Sequence, residues 1–171
     1  MIKLYISFLI SILFVSCTHK AEENLSKPLV LKNGLLYSDS LSTVPFTGRN
    51  KSNMFDMKIE YDVVNGEKEG DFITYYSNDK VQISGKMKAN KNVGEWKYYF
   101  PDGSLETSGF FDNDSASGKW VWYNQKGQIL EEGSFLAGLR DGEWKTYDST
   151  GVVSIIRIYK NNEVIDSTKV N

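Results

Sequence analysis

The residues best suited to covalent or metal chemistry are few and badly placed for it. His19 is the only histidine and Cys17 the only cysteine. Nucleophilic Cys–His and Ser–His pairs, and His or Cys metal centres, need partners that the chain does not supply. Two carboxylates alone can hydrolyse a glycoside if they stand about 5–10 Å apart. Glu95 and Glu143 occupy one column of a repeat, two repeats apart, with Lys119 between them. Four strands at about 4.8 Å each place them about 19 Å apart, too far to act together. Asp112-Asn113-Asp114 offers oxygens but lacks the spacing and terminal Glu of a calcium loop, and reads as a polar hairpin turn. The expectation is a non-enzyme without cofactor or metal. A net charge of −2 and a pI near 5.5 also argue against a nucleic-acid partner.

The first sixteen residues form a separate object. Lys3 gives a short basic start, and Leu4 to Val15 are apolar except for Ser7 and Ser11. The run is too short for an ordinary membrane-spanning helix and fits the apolar core of a secretory signal. It ends in Phe14-Val15-Ser16-Cys17. That ending resembles the bacterial lipobox, although the pattern usually has Leu where Phe14 stands. The resemblance implies cleavage before Cys17 and lipidation of Cys17, with more than one acyl chain for stable anchoring. Removing Met1 to Ser16 takes away one Lys and no acid, leaving −3 on the mature chain. With Cys17 acylated no disulfide can form, so stability must come from packing and backbone pairing. Residues 17–28 read as the lipidated Cys and a flexible tether. Within it, Lys20-Ala21-Glu22-Glu23 is similar to a surface-export signal of some Gram-negative lipoproteins. The expected location is the cell envelope, lipid-anchored at the outer membrane on its periplasmic or surface side.

Behind the tether lies an internal repeat. Gly70, Gly94, Gly118 and Gly142 are 24 residues apart. Phe72, Trp96, Trp120 and Trp144 follow two residues later, and Tyr75, Tyr99, Tyr123 and Tyr147 five residues later. Asp79, Gly103, Gly127 and Gly151 form a further column, as do Val81, Leu105, Ile129 and Val153. Gly85, Gly109 and Gly133 are followed in their column by Arg157, and Met87, Phe111, Phe135 and Tyr159 complete the set. Residues 29–69 read as capping strands, around Gly34–Tyr37 and Pro45–Gly48, plus a degenerate repeat. In that repeat Met57, Ile59, Tyr61 and Val63 alternate with charged residues. Residues 70–171 read as the four regular repeats.

Gly-x-Trp-x-x-Tyr-x-x-x-Gly with a second Gly-aromatic half resembles MORN-type repeats. The 24-residue period and the Pro45-Phe46-Thr47-Gly48 opening are most similar to the MORN-repeat variant of the YwqK-like antitoxin family, across roughly residues 34–165. The resemblance implies a binding role. An antitoxin on an exported chain would have to meet an envelope-acting toxin. Glu95-Trp96-Lys97-Tyr98-Tyr99 is also similar to choline-binding cell-wall repeats, but those are shorter.

Each repeat reads as a hairpin. Trp96, Tyr98 and Phe100 alternate with Glu95, Lys97 and Tyr99 before a turn at Pro101-Asp102-Gly103-Ser104. With Asp102-Gly103 as the loop, Phe100 faces Leu105, Tyr98 faces Thr107 and Trp96 faces Gly109. A four-residue loop over Asn113–Ala116 would bring Trp120 to the other side of Gly109, so that aromatic rings cover a strand glycine. The expected fold is all-β, an elongated antiparallel meander of β-hairpin repeats. One face should pack the Trp, Gly, Leu or Ile, and Phe columns. The wetter face should carry Tyr75, Tyr99, Tyr123 and Tyr147 with Lys, Glu and Ser, as a stripe for a protein partner or, alternatively, a glycan. The expected function is a membrane-anchored, non-catalytic scaffold.

The anchor is directly testable. Replacing Cys17 by Ser should abolish incorporation of a fatty-acid analogue and lipoprotein-type cleavage; undiminished labelling of the variant refutes the anchor.

Overall fold

The computed structural model describes residues 25–54 and 57–170, so the apolar leader, Cys17 and the tether to residue 24 lie outside the described residues. The described residues form strands and turns without a helix. A two-stranded sheet, β1 (Val30–Lys32) and β2 (Leu35–Tyr37), precedes the main array. The array runs through β3 (Gly48–Met54), β4 (Met57–Val64), β5 (Glu67–Tyr75), β6 (Val81–Lys88), β7 (Lys91–Tyr99) and β8 (Leu105–Asp112). It continues through β9 (Ser115–Tyr123), β10 (Ile129–Leu136), β11 (Leu139–Tyr147), β12 (Val153–Lys160) and β13 (Glu163–Lys169). All eleven strands pair antiparallel in chain order, which makes one uninterrupted meander.

Two kinds of turn alternate along it. On one side are two-residue loops: Asn65-Gly66, Ala89-Asn90, Asn113-Asp114, Ala137-Gly138 and Asn161-Asn162. Both residues of each have positive φ, as a type I′ hairpin requires. Asn113-Asp114 is therefore a tight turn and not the four-residue loop expected from the sequence. These turns also tie neighbouring repeats together. The amide of Asp114 donates to the Asn92 carbonyl, and the Asp114 carboxylate accepts the Asn92 amide at 2.8 Å. Asn90 makes the same pair of bonds with Lys68, and Asn162 with Arg140.

On the other side are three-residue loops. Phe100 N–H donates to the Ser104 carbonyl and Gly103 N–H to the Phe100 carbonyl, so Pro101, Asp102 and Gly103 form the loop. A bulge follows at once. Tyr99 pairs with Leu105 but Tyr98 with Thr107, leaving Glu106 as an extra residue. The extra loop residue and the bulge offset each other, so the expected pairs Tyr98–Thr107 and Trp96–Gly109 form. The expected Phe100–Leu105 pair does not. A one-residue slip moves a side chain to the opposite face. Leu105 and its column mates therefore stand beside the Tyr column, as in Val81–Tyr75, Ile129–Tyr123 and Val153–Tyr147. This corrects the expectation that the Leu and Ile column lines the Trp face.

The second bulge explains both glycine columns. Ser84 pairs with Lys97 and Lys86 with Val93, so Gly85 alone faces Gly94, Glu95 and Trp96. The same arrangement sets Gly109 against Gly118–Trp120 and Gly133 against Gly142–Trp144. Gly94, Gly118 and Gly142 have φ of 66°, 62° and 76°, and nothing lies near where their Cβ would be. They are glycines for backbone conformation. Gly85, Gly109 and Gly133 are glycines for space. A Cβ on them would fall inside the indoles of Trp96, Trp120 and Trp144 respectively. Each Trp thus lies on the glycine of the preceding repeat. Its Nε1–H donates to the next carbonyl along: Trp96 to Lys86 at 3.2 Å, Trp120 to Phe110 at 3.1 Å and Trp144 to Ser134 at 3.1 Å.

These rings join a ladder along one face. Tyr61 stacks with Phe72, Phe72 meets Trp96, and Trp96, Trp120 and Trp144 meet Phe111, Phe135 and Tyr159 edge to face at 5.1–5.9 Å. Trp122, outside the repeat columns, completes the ladder between Trp120 and Trp144. Although no second sheet covers them, the three repeat tryptophans are buried, Trp144 to 1% exposure. At the start of the array a more ordinary core forms. Ile59, Tyr61 and Val63 pack with Leu29, Leu36, Phe46 and Phe72. Leu36, Phe46 and Gly66 are linked by backbone hydrogen bonds, which seats the cap on the first turn. Ser26 and Lys27, expected in the flexible tether, instead lie on the edge of β3. Ser26 N–H donates to the Lys51 carbonyl, and the Asn50 amide to the Lys27 carbonyl.

Gly109→Val must displace the Trp120 ring and should cost about 3 kcal/mol, the upper end of overpacking costs. Arg157 holds the same column where Thr168 replaces the Trp, so Arg157→Val should cost far less. Equal destabilisation of the two variants in denaturant melts would refute the packing account.

Candidate interaction surface

The face opposite the Trp ladder is built from the residues that alternate with it. Tyr75, Tyr99, Tyr123 and Tyr147 form one row on it, two strands or about 10 Å apart. All four are half-buried, flanked by the Val81, Leu105, Ile129 and Val153 column that the loop-side bulges turned to this face. Tyr99 and Val81 line a shallow depression with Ile73, Lys80, Ser84 and Gly103. Tyr147 and Leu130 line another with residues of the Asn124–Gln128 and Asp148–Ser149 loops. Phe110 is 47% exposed on the same face.

The row is not uniform. Tyr75 donates its hydroxyl to Glu60 at 3.1 Å, and Tyr147 to Glu132 at 2.7 Å. Each glutamate lies fifteen residues before its tyrosine and also holds cations. Glu60 takes Arg49 at 3.1 Å and Lys51 at 3.3 Å, and Glu132 takes Lys119 at 2.7 Å. Burial pulls the Glu60 carboxyl up, but the bonds from Arg49, Lys51 and Tyr75 outweigh it and leave it below the ordinary range. Glu132 is held down by Lys119 and then Tyr147, against its burial. The same bonds push the Tyr147 hydroxyl up, Glu132 first among the causes. At the middle two tyrosines the equivalent positions are Ser84 and Ser108. There the Tyr99 and Tyr123 hydroxyls form no hydrogen bond among the described residues. The sequence-derived stripe is therefore present as a row, but its two ends are tied into the sheet.

The rest of the face is paired charge. Glu95 meets Lys97 at 3.0 Å, Glu143 meets Lys145 at 2.9 Å, and Asp71 meets Lys86 at 3.5 Å. Such exposed pairs contribute little to stability. Among the described residues no group of acids and histidines is arranged to hold a metal. Asp114, within the acidic run considered for calcium, has one carboxylate oxygen on the Asn92 amide. On the Trp face Arg140 lies 4.0 Å over the Trp144 ring and bonds Glu131 at 3.3 Å, while Lys68 lies over Tyr61 and Phe72. Neither cation stands out from the repeat columns; the signal for both is the shared position two residues before a repeat glycine, Gly70 or Gly142.

A carboxylate with a depressed folded pKa contributes stability above its unfolded pKa and loses it as pH falls through the folded value. Glu132 should therefore steepen the loss of melting temperature below about pH 4.3. In Glu132→Gln the acid limb should be shallower while the midpoint near pH 7 falls. Parallel pH curves for variant and parent would refute this assignment.

Comparison with known proteins matches this architecture in part. The chain gives no match among curated proteins. The family described as MORN repeat variant matches residues 92–113, 116–137 and 140–161. The three matches start 24 residues apart and cover the hairpins β7–β8, β9–β10 and β11–β12. The hairpin β5–β6, where Phe72 replaces the Trp, lies outside them. The chain thus carries three consecutive MORN-variant repeats on a continuous antiparallel sheet.

Proposed function

We propose that this chain is a non-catalytic scaffold of the cell envelope, held at a membrane through lipidated Cys17, whose repeat sheet displays a binding face to a protein partner. The observation that carries the reading is the Tyr row. A sheet stiffened from one side by the Trp ladder leaves the other face to present half-buried tyrosines, aliphatic side chains and Phe110 at a fixed spacing. Tyrosine suits such a role because its ring supplies contact area and its hydroxyl a polar handle. The non-catalytic part rests on the scarcity of nucleophiles and bases in the sequence. Membership of the YwqK-like antitoxin family belongs to the same reading, with an envelope-acting toxin as the partner.

Replacing Tyr99 and Tyr123 together by Ser tests the scaffold. The expected variant melts cooperatively, reaches the envelope, and no longer captures the protein that the parent captures from native envelopes. Loss of the cooperative melt would make the row structural, and unchanged capture would remove it from the binding face. Capture of oligosaccharide in place of protein would favour a glycan-binding module.

A further inference from the structure

The internal repeat makes the chain its own control, because equivalent positions can be compared in one molecule. Glu60, Ser84, Ser108 and Glu132 form one column, each fifteen residues before a member of the Tyr row. Where the column holds glutamate, its carboxylate takes the Tyr hydroxyl and a lysine ammonium together. Where it holds serine, the tyrosine hydroxyl keeps the same backbone setting without that acceptor. Lys97 lies between the two serines, paired across the strands with Ser84 on one side and Ser108 on the other. Among the described residues its ammonium is held by Glu95 alone, in a pair with both side chains more than a third exposed.

From this column we infer that the middle of the face binds carboxylates from a partner, an acidic peptide segment whose side chains enter beside Ser84 and Ser108. The inference rests on the reading of the Tyr face as the binding face and names the chemistry of the partner. Each carboxylate takes a hydroxyl from Tyr99 or Tyr123 and the two share Lys97; within the chain Glu60 and Glu132 likewise combine a Tyr hydroxyl with a lysine, each with its own, Lys51 and Lys119. The two positions are one repeat, about 10 Å, apart, so the segment carries two acids at about that separation. Lys86 and Lys119 stand at the flanks, paired with Asp71 and Glu132, whereas Asp71 and Glu95, which line the depression beside Ser84 with Lys97, oppose entry, and Glu95 exchanges its hold on Lys97. A neutral ligand would leave Lys97 as it is. An acid gains the charge-assisted bonds that are the stronger kind.

The test uses the full-length lipoprotein in detergent, titrated with hexaglutamate, hexaglutamine and a neutral chito-oligosaccharide. Hexaglutamate is expected to bind at least tenfold more tightly than either control, and more weakly as salt rises. Ser84→Glu with Ser108→Glu supplies the carboxylates internally. That variant should raise the melting temperature and weaken hexaglutamate at least tenfold. Tyr99→Phe with Tyr123→Phe keeps the rings, should leave the melt unchanged and should also weaken it. Equal binding of hexaglutamate and hexaglutamine overturns the inference. So does preference for the oligosaccharide, or undiminished hexaglutamate binding by both variants. If the Ser-to-Glu variant still captures the envelope partner that the Tyr-to-Ser variant loses, the scaffold reading stands and the carboxylate inference falls.

Discussion

The structure depends on an indole lying flat on a glycine. A single-layer sheet has no second layer to bury its apolar face, yet the repeat tryptophans are almost fully buried. Each achieves this against the backbone of its own sheet, over Gly85, Gly109 or Gly133, with the ring N–H on the next carbonyl. A β-carbon at any of these glycines would remove the seat. The coupling is visible inside the chain: opposite Phe72 the glycine is replaced by Tyr61, and on β12, where the next strand has no Trp and pairs Ser167 opposite, it is replaced by Arg157. Strand glycine ordinarily weakens a sheet. Here the loss is offset by burial of a large ring and by an added hydrogen bond.

Seating the ring requires the ladder to open, and the bulges do that. Three residues of one strand face a single glycine, and the first of the three takes a left-handed φ that only glycine adopts cheaply. Because this bulge adds two residues, the alternation of faces survives it. The loop-side bulge adds one, and it turns the aliphatic column toward the tyrosines. Register and surface composition are therefore set by the same few irregularities. The stacked turns then fix the spacing, since each second turn residue is bonded to the strand of the preceding repeat.

The polar face follows from the same registers. Its tyrosines and charges stand at regular intervals because each repeat pairs with the next in the same register. Ends and middle differ in how their hydroxyls are satisfied. Glu60 and Glu132, with their cations, tie the outer tyrosines into the sheet, while the inner pair finds no such acceptor among the described residues. One column thus holds two kinds of residue, one that anchors its tyrosine and one that does not.

The 24-residue period, the all-β class, the hairpin units and the Trp–Gly pairing were legible in the sequence alone, because they follow from column identity and period-two alternation. The expected pairing of Trp96 with Gly109 held because a three-residue loop and a bulge cancel in the count. The same cancellation hid the placement of Leu105, although the column Asp79, Gly103, Gly127 and Gly151, all at positive φ, marks a three-residue loop that ends in a left-handed residue and a bulge. Trp122, Arg140 and Lys68 were missed because they fall in columns that vary between repeats. The outer and inner tyrosines differ through residue type, Glu60 and Glu132 against Ser84 and Ser108. That this column lies within hydrogen-bond reach of the Tyr row was decided by tertiary structure, because it is a cross-strand distance set by bulges and turn geometry.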